Sequence, residues 1–137
     1  FVPSAREADR YMRAESIEAA IAEDFPEHRH RLIPYIQVHE FEALVLAGTD
    51  AIEFYFPEQH EGVARLAAEV AGFANPELVN DSPETAPSKR LERSIHRYRK
   101  AIDGPLIAQR TGLDTIRNRC PHFNEWLRKI EAIGGTA

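Results

Sequence analysis

The run Leu32-Ile33-Pro34-Tyr35-Ile36-Gln37-Val38 most constrains the fold, because it is rich in β-branched and aromatic residues while the flanking sequence repeats its apolar residues at helical spacing. It reads as one buried strand. A lone strand cannot satisfy its own backbone donors and acceptors. Residues 32–38 must therefore pair with strands outside these 137 residues, with a partner chain, or with local strands of weaker signal. The expected class is α/β, predominantly helical, with this strand followed by several helices.

Upstream, residues 4–24 read as a helix: Ser4 caps it, Glu7 stands three positions on as in a capping box, and Ile17, Ala20 and Ile21 share a face. Pro26 ends it. Downstream, helices are expected over residues 39–47, 50–56, 58–71, 88–102, 105–111, 113–119 and 122–133, punctuated by prolines 57, 76, 83, 87, 105 and 121. Asn75 to Pro87, with three prolines, reads as a long ordered loop or partly mobile flap, and Gly134-Gly135 as a frayed tail. A length of 137 residues with 43% hydrophobic content suits one domain with a real core. The start at Phe1-Val2-Pro3, without a methionine, points to a domain incomplete at its N-terminus.

A formal charge of −5 repels a polyanion, so contact with nucleic acid requires a local basic patch. The single Cys120 excludes an internal disulfide framework and a cysteine-pair zinc site, as expected in a reducing cytoplasm. No apolar run approaches the roughly 18 residues of a membrane span, and a soluble, cytoplasmic protein is expected.

Two polar clusters carry the chemistry. In Val38-His39-Glu40-Phe41-Glu42-Ala43-Leu44 the expected strand turns into the expected helix. A helix starting at His39 sets Phe41, Leu44 and Val45 on an apolar face and His39 with Glu42 on the opposite one, Glu40 lying between. A histidine and a carboxylate one turn apart can share a divalent cation, or the carboxylate can fix the imidazole tautomer for proton transfer. Two carboxylates without cysteine favour Mg²⁺ or Mn²⁺ over structural zinc. An ordinary solvated helix face has the same pattern.

The second cluster is Glu84-Thr85-Ala86-Pro87-Ser88-Lys89-Arg90, opening a basic helix. Leu91, Ile95, Tyr98 and Ile102 form its apolar side, and Lys89, Arg93, His96, Arg97 and Lys100 its charged side, extended by Arg90 and Arg99. Such a strip can hold phosphates, with Ser88 capping the helix and its first amides facing an anion. It can equally pair with the abundant Asp and Glu of the chain. The run from Arg119 through Cys120-Pro121-His122 to Leu127 reads as a helix packing Phe123, Trp126, Leu127 and Ile130 on a core, with Cys120 a small buried hydrophobe.

On these segments the chain resembles a bacterial family of unknown function, the domain-of-unknown-function family 4276. The likeness runs through Ile33 to Leu44, Glu84 to Leu91, Gly104-Pro105-Leu106-Ile107-Ala108 and Arg117 to Leu127, in the same order. The resemblance implies a Toprim-like Rossmannoid domain, often encoded beside an ATPase and associated with defence against phage or foreign DNA. Its early strands carry metal-binding acidic motifs, and Phe1 falls just after them, so the chain corresponds to the C-terminal two-thirds. What carries over is the His39-Glu40-Phe41-Glu42 elbow and Ser88-Lys89-Arg90.

The expected function is a metal-dependent nuclease or phosphodiesterase subunit. Glu40 and Glu42 bind Mg²⁺ or Mn²⁺, His39 orients a carboxylate or relays a proton, Lys89 acts in catalysis, and Ser88, Arg90, Arg93 and Arg97 hold the substrate. Nucleic acid and a partner ATPase are the expected partners, a homo-oligomer stays open, and no membrane is involved. The alternatives are a non-catalytic regulatory or scaffold subunit docking on an ATPase, and a nucleotide-sensing module.

Overall fold

A computed structural model describes residues 5–80 and 82–135. Ser4, the expected cap of the first helix, lies outside the described residues. Backbone contacts divide the chain into two compact units, one from the N-terminus to Val38 together with His122 onward, the other from His39 to Pro121.

In the first unit, α1 (Ala5–Asp24) ends just before Pro26, and α8 (Pro121–Ile133) begins on a proline whose missing N–H costs nothing in the first helical turn. The face of α1 turned inward is not the expected one. Ala14 and Glu18 are buried, whereas Ile17 is exposed. The reason is polar: Glu18 Oε1 accepts from the Ile36 backbone N–H and pairs with His122 Nε2, each at 2.8 Å.

The expected α/β class with a strand over 32–38 is overturned, because the described residues form helices and turns and no strand or sheet. Residues 32–37 carry no regular secondary structure and pair with no strand among the described residues, and Pro34 removes one of the segment's donors. Side chains hold it instead. Tyr35 stacks on Trp126 with ring centroids 4.7 Å apart and on His122 at 5.5 Å, and Glu18 takes the Ile36 amide.

The second unit is built from α2 (Glu42–Val45), α3 (Thr49–Tyr55), α4 (His60–Ala71), α5 (Pro87–Ser94), α6 (Lys100–Thr111) and α7 (Leu113–Arg119) around a core that includes Leu46, Ile52, Leu66, Leu91, Ile95 and Ile107. The stretch expected as a loop or flap is tightly packed at Pro76 to Val79, all buried, within a short 3₁₀ turn capped by the Asn75 side chain.

The helix expected over 88–102 is also corrected. It stops at Ser94, and a turn over 95–99 re-aims the chain into α6. Arg97 adopts φ +64° in that turn. Two devices fix it. Gln59 bonds both the N–H and the C=O of His96, and Asp103 accepts from the Arg99 backbone N–H at 2.7 Å, capping α6. The break lets Leu91, Ile95 and Tyr98 all bury, while Ile102 is left exposed.

Candidate functional site

The helix at the elbow begins at Glu42, not His39; Leu44 and Val45 are buried as expected, but Glu42 and Phe41 exchange sides. His39 sits at φ +66°, a left-handed conformation that histidine tolerates better than most residues, so the backbone cannot be helical there. Glu42 consequently turns inward and is completely buried among Ala43, Leu44 and Val45, while Phe41 faces out.

The two carboxylates nevertheless converge. Lys100 Nζ, at the start of α6, lies 3.2 Å from Glu42 Oε2 and 3.6 Å from Glu40 Oε2. The other oxygen of Glu40 accepts from the Ser88 backbone N–H at 2.6 Å, joining the elbow to the first turn of α5. Burial acts to raise the Glu40 pKa, but the Ser88 donors and the Lys100 charge overcome it, so the carboxyl lies below its usual range. Burial likewise opposes the Lys100 ammonium, and contact with Glu42 and then Glu40 outweighs it, lifting its pKa.

Neither oxygen of Glu42 accepts a well-aligned hydrogen bond, and Lys100 meets it as an ion pair at 3.2 Å. The buried Tyr98 hydroxyl is also without a hydrogen-bond partner. Burial, joined by the charges of Glu42, Asp103 and Glu40, pushes the Tyr98 phenol above its ordinary range. Opposite this hydroxyl stands the bare Cα of Gly104, where a Cβ would come within 2.9 Å of the Tyr98 oxygen. His39 Nδ1 lies 3.2 Å from the Asn80 side-chain amide, within hydrogen-bond reach.

The basic cluster is placed differently. Lys89 is exposed and pairs with Glu92 at 3.2 Å, and Arg90 is buried with its guanidinium on Glu69 and the Thr85 carbonyl, each at 2.7 Å. Arg93 reaches the same Glu69 at 3.1 Å. Arg97 is exposed in the turn, and Ser88 contributes its backbone to Glu40. Of the expected site residues, the structure thus gathers Glu40, Glu42 and Ser88, and directs the side chains of Lys89, Arg90 and Arg93 to other carboxylates. Lys100, Tyr98 and Asn80 join the elbow although sequence gave no reason to single them out. Lys100 was one cation of a strip, Tyr98 a core position, and Asn80 a loop residue.

Two carboxylates are suitable first ligands for a hard cation such as Mg²⁺ or Mn²⁺. The Lys100 ammonium stands where a cation shared by both would stand, and Glu42, buried without a hydrogen bond, is the kind of oxygen donor such an ion needs. Among the described residues no group of three or more His, Cys, Asp or Glu side chains converges as a ligand set, so the elbow carboxylates alone would not complete a coordination sphere. Clefts of about 580 and 490 Å³ open elsewhere on this unit, the first lined by Asp50, Phe54, Arg110 and Arg119 among others, the second by Arg65, Glu92, Arg93 and His96 among others; no elbow residue lines either. Cys120 is fully buried, and burial pushes its thiol well up, as suits a packing residue.

A family model for the domain of unknown function DUF4276 matches residues 2–131, nearly the whole chain and every segment of the site. The chain belongs to the DUF4276 family. No curated protein and no solved structure matches this DUF4276 chain. No helix among its described residues is long and apolar enough to cross a membrane.

Proposed function

We propose that this DUF4276 chain contributes the cation-binding part of a phosphodiesterase centre that acts on nucleic acid. The observation that carries the reading is the convergence of Glu40 and Glu42 on one cation, with Glu42 buried and neither of its oxygens accepting a well-aligned hydrogen bond. Glu40 and Glu42 would hold Mg²⁺ or Mn²⁺. When bound, the ion would neutralise phosphate charge and lower the pKa of water.

The chain's own residues then have separable tasks. Glu40 ties the elbow to the start of α5 through the Ser88 amide, which holds Lys89, the next residue, at the edge of the site. Lys89, exposed and paired at the surface with Glu92, would turn to a phosphate and offset the charge that develops there. His39, oriented by the Asn80 amide at Nδ1, would offer its imidazole for hydrogen bonding or proton transfer. Arg90, fixed on Glu69, keeps the start of α5 in place.

Divalent-ion titration tests this reading. Saturable Mn²⁺ binding that Glu42→Gln abolishes, with nuclease activity that Lys89→Ala removes while the fold stays intact, is the expected result. Indifference to Mn²⁺ in both the native chain and the Glu42→Gln variant would favour the competing reading, a non-catalytic subunit docking on a partner ATPase. That reading draws on the pairing of Arg90 and Arg93 with Glu69, which makes much of the basic helix a structural ion network.

A further inference from the structure

The proposed reading leaves Lys100 without a role, yet it is a cation that pairs with both carboxylates. An ionised carboxylate with no exposed surface must have a compensating charge. Lys100 supplies it for Glu42, but loosely. Its contact at 3.2 Å is not an aligned hydrogen bond, and 55% of its side chain is exposed, so the ammonium has a path into water. Arg90 on the same unit shows the opposite arrangement: it is buried and bound by directed bonds to Glu69 and Thr85.

Resting on the reading of the elbow as a cation site, we infer that Lys100 is a resident counter-ion of Glu42 that occupies the divalent-ion position and yields it on binding. The charges favour the exchange. Two carboxylates and one ammonium leave a net negative charge at the elbow, whereas two carboxylates and one divalent ion balance. The orphaned Tyr98 hydroxyl supplies a further buried oxygen within electrostatic reach of Glu42, unengaged while Lys100 is in place. Lys100 thus keeps the elbow assembled without metal and sets a threshold on the ion concentration needed to fill it.

The test is Mn²⁺ binding, read by electron paramagnetic resonance and by thermal melting, in the native chain and in Lys100→Met, Lys100→Gln and Glu42→Gln. A competitor that leaves about one-tenth of molecules open weakens apparent affinity about tenfold. Both Lys100 variants should therefore bind Mn²⁺ about tenfold more tightly than the native chain. Their melting temperatures, lowered without ion, should be restored by Mn²⁺. Unchanged or weaker binding in the Lys100 variants, with Glu42→Gln abolishing it, overturns the counter-ion role and leaves the cation site standing. No saturable binding in any of the four overturns both. Lys100 variants that do not fold, with or without Mn²⁺, overturn the exchange and make Lys100 a structural pair.

Discussion

The acidic elbow and the basic helix lie against each other, yet their charges are managed in opposite ways. On α5 the cations Lys89, Arg90 and Arg93 each meet a carboxylate, and Arg90 is locked from two sides. At the elbow Glu42 is buried with no hydrogen bond to either oxygen, balanced by an ammonium from the first residue of α6. Arg90 is bound by directed hydrogen bonds, whereas Glu42 faces a half-exposed ammonium. The difference shows that a charge run in sequence does not reveal which charges are already engaged.

The sharpest way to break this comparison is at Arg90. Arg90→Ala leaves Glu69 without its buried partner and the Thr85 carbonyl without a donor, and should destabilise the fold by about 3 kcal/mol in denaturant unfolding. Arg93→Ala touches the same Glu69 from an exposed position and should lower stability by less than about 1 kcal/mol. Equal effects would show that the two arginines do not divide into anchor and accessory.

A pH series sharpens the contrast next. Arg99, through its guanidinium and backbone N–H, holds Asp103 below its usual pKa against the effect of burial. A carboxylate depressed on folding stabilises above its unfolded pKa, and that stability is lost as pH falls through the lower folded value. Stability should therefore decline as pH falls below about 4, and Asp103→Asn should flatten that decline in acid titrations followed by circular dichroism. An unaltered acid limb in the variant would remove Asp103 from the account.

The smallest expected effect is on stability at Lys89. Its exposed pair with Glu92, one turn along α5, predicts that Lys89→Ala changes stability by less than about 0.5 kcal/mol. A larger loss in denaturant unfolding would move Lys89 from the working surface into the scaffold.

Helix positions were legible because prolines and apolar spacing are local signals: α1, α3, α4, α7 and α8 fall close to the spans that caps, breaks and periodicity indicate. The site was legible only as residue types. Glu40 and Glu42 come together, but Glu42 lies on the buried side instead of the polar face that a helix from His39 would give, because His39 is left-handed. Lys100 was seen as one strip of a continuous helix, and the turn over 95–99, fixed by Gln59 from another helix boundary, is what brings it to the elbow. No local rule carries that information.

By itself, then, the amino-acid order determined where helices start and stop, that Cys120 packs rather than reacts, and which residues were chemically equipped for a cation or phosphate. Tertiary structure alone decided that residues 32–38 are held by Glu18, His122 and Trp126 instead of a strand partner, and that Glu42 is buried against Lys100. Periodicity reports the geometry of one element at a time. Pairing between elements depends on which distant donor reaches a buried group first, and 58 residues separate Glu42 from Lys100 in the chain.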